Sequence, residues 1–182
     1  MKYVFDVEAN GLLNQADRIW CITLYSLEKS KTVTFTDEVD EYRSIDEALE
    51  IMSKAEQLIG HNVYAYDFPL LEKVKGWKYN GRILDTLLLS QLLNFDRGGH
   101  GLAQWGERLG WVKPKQEQWE FFEKAMLNRC EQDVEINKRV YVRLRQEYKA
   151  SKIPSSVVLT EFEVARISAE QVKNGWLMDV KL

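Results

Sequence analysis

The chain has 182 residues, a hydrophobic share of 45% and a formal charge of −3 at neutral pH. That is enough apolar matter for one domain of ordinary size, and the charge excludes a passive electrostatic nucleic-acid binder but not an enzyme that grips nucleic acid through a local patch and cations. Cys21 and Cys130 fit neither a zinc spacing nor a disulfide framework, no apolar run approaches membrane-spanning length, and the chain opens on a strand-like segment instead of a signal peptide, so a reduced cytosolic compartment is expected.

Lys2–Glu8 (KYVFDVE) reads as a strand, with Tyr3, Val4, Phe5 and Val7 apolar. Asp6 and Glu8 interrupt it. They share a face with Val4 and stand roughly 6.5–7 Å apart along it. Trp20–Leu27 and Thr32–Thr36, rich in β-branched and aromatic residues, complete an antiparallel meander. Ser44 then caps a helix, and Glu47 completes a capping box ahead of the apolar stripe Ile45, Ala48, Leu49, Met52 and Ala55. Gln57–Val63 returns to strand and Phe68–Val74 forms a short helix. Arg82–Leu84 is a strand that enters a helix over Asp85–Leu93. Gly101–Leu109 and Glu117–Lys149 are helical, the second with a bend expected near Asn128. The order βββ, α, β, α, β, then helices predicts an α/β fold: a ribonuclease H-like mixed sheet flanked by helices.

Four acids stand out against that frame. Asp6 and Glu8 lie near the carboxyl end of the first strand, where open α/β sheets build their sites; one solvated strand face is the plain alternative. Asp67 precedes a Pro-containing first helical turn, so taken alone it reads more readily as a helix cap than as a ligand. Asp133 lies within the helical stripe Phe122, Met126, Cys130, Ile136, Val140 and Leu144. An acid on a buried face needs a partner or a metal, and Arg129, four residues earlier, offers a salt bridge. Four converging carboxylates repel one another unless cations neutralise them. Two divalent ions, Mg²⁺ or Mn²⁺ by the hardness of oxygen ligands, are the usual answer and perform displacement at phosphorus.

DVEANGLL, HNVYAYDFPLL and CEQDVEINKRV resemble the three exonuclease motifs of the DEDD 3′→5′ exonucleases, and the proofreading domains of phage-type family A DNA polymerases in particular. ILDTLLLSQLL, HGLAQWGERLG and the tail EFEVARISAEQVKNGWLMD extend the likeness over nearly the whole chain. The resemblance implies that Asp6, Glu8, Asp67 and Asp133 are the catalytic, metal-binding carboxylates. It makes Leu12 a wedge against the terminal base and gives Asn62 and His61 a part in positioning the strand end. Phe68, Asp85 and Trp105 match positions of packing or capping. Arg97 and His100, in the DRGGHG loop, either touch phosphate or are solvated loop charges. Residues 1–150 would form the exonuclease domain and 151–182 the start of a connection to a polymerase domain of the same parent chain.

One departure carries weight. The family places a tyrosine four residues before the last aspartate or a histidine five before it, to orient or deprotonate the attacking water. Here Arg129 and Asn128 stand there, and neither is a general base at neutral pH. Arg129 can instead bind the scissile phosphate, stabilise developing charge, or pair with Asp133 and weaken metal binding. Tyr66 and Tyr141 are the tyrosines available as substitutes. Turnover reduced by about 10²-fold is expected if one base is missing. The function implied is metal-assisted hydrolysis of single-stranded DNA from its 3′ end to 5′-mononucleotides, in the cytoplasm (a bacterial host's, if phage-encoded) and with no membrane. Its rivals are a free-standing exoribonuclease and a weakened end-binding or scaffold domain.

Overall fold

Alternation in the first segment decides how the sheet is covered. The computed structural model describes residues 1–111 and 118–175. Lys2–Ala9 (β1), Ile19–Ser26 (β2) and Lys31–Phe35 (β3) form the antiparallel meander, followed by Ile45–Ser53 (α1), Gln57–Gly60 (β4), Asp67–Lys75 (α2), Arg82–Asp85 (β5), Thr86–Leu93 (α3), Leu102–Arg108 (α4), Lys124–Ala150 (α5) and Ser155–Asn174 (α6). The sheet order is β3-β2-β1-β4-β5, with β4 parallel to β1 and β5 parallel to β4. This is the predicted mixed ribonuclease H-like sheet. Phe5 and Val7 turn to one face and pack with α1 and α2 residues such as Met52 and Leu70. Val4 turns to the other and meets Ile59 and, from α5, Val134 and Tyr141. Asp6 and Glu8 continue the Val4 face, so the helix that buries Val4 also roofs the acids.

Ser44 and Glu47 form the expected capping box. Two boundaries differ from expectation, each for a tertiary reason. The Gln57–Val63 strand stops at Gly60. Asn62 turns with φ +65°, and the N–H groups of Asn62 and Val63 donate to the Asp85 carboxylate at 3.0 and 2.8 Å instead of joining a ladder. Gly60 is required here, since a Cβ would lie 2.1 Å from Val63 Cγ1. The long helix begins at Lys124, not Glu117, which lies outside the described residues. Gln118 folds over its own loop, donating from Nε2 to Phe121 O and accepting from Phe121 N, and Trp20 Nε1 holds Trp119 O at 2.9 Å. From Lys124 the helix runs unbroken through Asn128. Of the tail motif, α6 is described and residues 176–179 are not. Phe162 docks α6 on the body, its ring 6.3 Å from that of Tyr64. Among the described residues no helix is long and apolar enough to cross a membrane. Both cysteines are buried free thiols.

Candidate metal centre

β1 and α5 bring three of the four acids together. One carboxylate oxygen from each of Asp6, Glu8 and Asp133 lies within 4.8 Å of the others. Asp133 and Glu8 are buried and Asp6 is half-buried. The register of β1 on β2 shifts between Glu8 and Ala9, a bulge of the kind that re-aims side chains beside sites. Cys130, one turn from Asp133, donates its thiol to Asp6 O at 3.4 Å and locks α5 onto the strand. Asp67 joins from α2 and lines the same cavity of about 270 Å³. It is not the helix cap: Tyr66 occupies the cap position and makes no side-chain cap bond, while Asp67 is the first helical residue and is buried. All the donors are carboxylate oxygens, from two same-face positions on a strand and from two helices. That is the donor set of a hard divalent cation, and its burial without one would be costly.

Burial pushes the Asp67 carboxyl up to about 8, and the charges of Asp85 and Glu8 add to the rise. Backbone hydrogen bonds from Asp67 itself and Val7 oppose it. Folded Asp67 therefore holds a proton between its ordinary 3.8 and about 8, whereas the unfolded chain has lost it. The native state binds more protons across that window, so stability of the metal-free protein falls as pH rises through it and levels off above. Melting in EDTA at a series of pH values between about 5 and 8 should show this decline, with a shallower slope in Asp67→Asn; equal slopes would refute the assignment.

The guanidinium of Arg129 pairs with Glu8, Nε donating to Oε1 at 3.2 Å. Neither spare tyrosine is a base. Tyr66 lines the acidic cavity, but its hydroxyl donates to Gly11 O at 2.6 Å, and burial beside Asp67, Glu8 and Asp6 pushes it up to about 12. Tyr141 is core, packed with Val4 and Ile59. Arg97 and His100 are half-buried and both have protein partners. Arg97 donates to Glu147 and lies 4.6 Å over the Trp105 ring, and His100 Nδ1 is 2.8 Å from Ser90 Oγ. Phe68 packs against Phe5, Trp105 is buried, and Asp85 caps α3.

His61 lines the acidic cavity, and Asn62 is exposed at its lip. A buried network that the sequence reading missed orients His61. Thr86 Oγ1 lies 2.8 Å from His61 Nδ1, 3.0 Å from Gly60 O and 2.6 Å from the side-chain oxygen of Asn137. A hydroxyl has one proton, and Gly60 O can only accept, so the proton belongs there. Turning the Asn137 amide over lets its Nδ2, otherwise without a hydrogen bond among the described residues, donate to Thr86. His61 then donates from Nδ1, which fixes the orientation of its ring. Asn137, four residues after Asp133, is a second polar residue within the apolar stripe, and that repetition was the signal available. Leu12 is 71% exposed. It and Tyr66 line two larger cavities, of about 910 and 1050 Å³, that adjoin the acidic one.

A model of the RNase_H superfamily matches residues 3–155. The chain belongs to the RNase H superfamily. The DNA-directed DNA polymerase of Escherichia phage T7 is 23% identical over 98% of this chain and 33% of its own length. That of Enterobacteria phage T3 is 24% identical with the same coverage, so the chain spans about a third of these curated relatives. Among solved structures, Brucella melitensis NrnC superposes with a TM-score of 0.70 at 18% identity, over 100% of this chain and 90% of that one. Escherichia coli RNase D, an exoribonuclease involved in structured RNA processing, gives 0.68 at 15% identity, over 92% of this chain and 44% of that one. With the motif resemblance, the polymerase relatives support a DEDD 3′→5′ exonuclease domain within the RNase H superfamily.

Proposed function

We propose that this RNase H-like domain hydrolyses single-stranded DNA from its 3′ end, releasing 5′-mononucleotides, with two Mg²⁺ or Mn²⁺ ions held by Asp6, Glu8, Asp67 and Asp133. The observation that carries this is the meeting of three carboxylate oxygens from β1 and α5 within 4.8 Å, with Asp67 on the same cavity. Bound divalent ions supply an activated water and charge neutralisation at the phosphate. The chain's own side chains do the rest. The four acids hold the ions, and Arg129 stands beside them to meet phosphate charge. Leu12, exposed between the two large cavities, wedges against the terminal base, a contact that tolerates any sequence. Asn62 and the oriented His61 line the approach to the strand end.

The polymerase relatives support DNA, and the C-terminal segment from 151 then begins the connection to a polymerase domain that uses this one for proofreading. A mismatched end frays at less cost and is removed preferentially. Such a domain works in the cytoplasm, the bacterial host's if the gene is phage-borne. A second reading, an exoribonuclease, has its own support: the exoribonuclease RNase D shares the fold over 92% of this chain, and one structure of NrnC, which matches the chain's full length, carries pGG (TM-score 0.71, 18% identity). Digestion of matched DNA and RNA strands, labelled at the 5′ end, with Mn²⁺ and with EDTA decides between them. Faster metal-dependent shortening of DNA is the expected result, and faster RNA cleavage transfers the assignment to RNA. Arg129→Tyr, which restores a phenol at the family's position, should raise the rate, by up to about 10²-fold. An unchanged or lower rate in single-turnover assays would show that a phenol there is not what limits the reaction.

A further inference from the structure

The acidic cavity has a cation built into its wall. Arg129 reaches from α5, one helical turn before Asp133, and donates Nε–H to Glu8 Oε1 at 3.2 Å. The two side chains are only 15% and 9% exposed. The guanidinium carbon also lies 4.8 Å from the centre of the Trp119 ring. Trp119 is itself anchored, its carbonyl accepting a 2.9 Å hydrogen bond from Nε1 of Trp20, which is buried on β2. A sheltered ion pair laid on a fixed aromatic face is a constructed feature, unlike a mobile surface pair.

Glu8 is nonetheless one of the three acids whose oxygens converge. The Nε–H bond takes up one of the lone pairs of this carboxylate, and a guanidinium next to a divalent ion is repelled by it. Two cations therefore compete for one carboxylate. The contest has a natural resolution, because a guanidinium fork pairs with phosphate as well as it pairs with carboxylate. Room for the exchange exists: Glu8 lines both the acidic cavity and the larger cavity walled by Trp119 and Leu12.

We propose that Arg129 is a placeholder cation, which neutralises Glu8 in the metal-free protein and transfers to the substrate phosphate as a divalent ion takes Glu8. The proposal rests on the metal-centre reading above and adds a positioning role for Arg129. No covalent bond changes; one ion pair is exchanged for another. Phosphate draws the guanidinium off Glu8 and so assists metal binding, and by linkage metal assists phosphate binding by the same factor. The centre then assembles fully only when a phosphate is present.

Calorimetry and Mn²⁺ electron paramagnetic resonance on the full chain test this, with Mn²⁺ and thymidine 5′-monophosphate as probes. Without nucleotide, Arg129→Met should bind Mn²⁺ at least about tenfold more tightly than the unaltered protein, within the usual range of coupling between sites. The nucleotide should tighten Mn²⁺ binding about tenfold in the unaltered protein and no more than about threefold in Arg129→Met. Equal Mn²⁺ affinities, or an equal nucleotide effect in both proteins, would overturn the proposal while leaving the metal centre intact. Failure of both proteins to bind Mn²⁺ would overturn the metal-centre reading and this proposal with it. Arg129→Gln removes the charge but keeps polar N–H groups; it replaces Arg129→Met in the comparison if the latter melts markedly lower. Arg129→Lys keeps the charge and should stay near the unaltered Mn²⁺ affinity.

Discussion

Asp133→Asn lowers exonuclease turnover by about 10³-fold or more, while the metal-free protein melts no lower than the unaltered one. Asp133 is 3% exposed and offers an oxygen within 4.8 Å of oxygens from Asp6 and Glu8. The amide is nearly isosteric and keeps one oxygen, so packing on α5 is preserved, but it is a poor ligand for a hard cation. Losing several kcal/mol of charge stabilisation corresponds to about tenfold in rate for each ~1.4 kcal/mol. In EDTA the same change removes a negative charge from a crowded cluster, so the melting temperature holds or rises; with Mn²⁺ present the order reverses, because ligand binding stabilises only the protein that retains the site. Single-turnover digestion and paired melts with and without Mn²⁺ make the check. Activity within tenfold of normal would remove Asp133 from the metal centre, and a melt that collapses in EDTA would make its role structural.

Asp85→Ala should cost about 3–5 kcal/mol of stability and should also impair the site, although Asp85 belongs to no metal cluster among the described residues. Its carboxylate, 1% exposed, accepts from Asn62 N at 3.0 Å, Val63 N at 2.8 Å, Leu87 N at 2.9 Å and Leu88 N at 3.4 Å. The first two bonds hold the left-handed turn at Asn62, and the last two cap α3. Alanine removes the acceptor and leaves buried N–H groups to find other partners, at about 1–3 kcal/mol each when they fail. The cap alone accounts for about 1 kcal/mol. His61 and Asn62 then lose their fixed approach to the acids, so weaker substrate binding should accompany the loss of stability. Urea unfolding gives the first number and KM on a short oligonucleotide the second. A loss below about 1 kcal/mol would show that water replaces the carboxylate without penalty.

Much of this protein was legible because its signals are local. Ser44 and Glu47 specify a helix start within four residues, and the structure forms that capping box as expected. Val4, Asp6 and Glu8 share a strand face by alternation alone, and Met126, Cys130, Asp133, Ile136 and Val140 share a helix face by 3.6-residue periodicity. All five of those helix residues are buried. The element order, and with it the mixed sheet, followed from such patterns.

What the patterns could not state was which buried groups meet. Asp67 read more readily as a helix cap, because a short polar residue before a Pro-containing turn suits that role; only the docking of α2 beside β1 turned its carboxylate into the acidic cavity. Arg129 has Asp133 as its helical neighbour by spacing, and spacing gave no sign of its bond to Glu8, 121 residues away in sequence. Arg97 and His100 read as loop charges because a glycine-rich loop is polar, whereas Glu147 and Trp105 hold the first and Ser90 contacts the second. The sequence by itself determined which faces of strand and helix are buried, since burial follows from the period of the chain's own backbone. The tertiary structure alone decided which acids meet and which cation stands beside them, since those depend on how separate elements dock, and docking is set by side-chain packing between residues far apart in the chain.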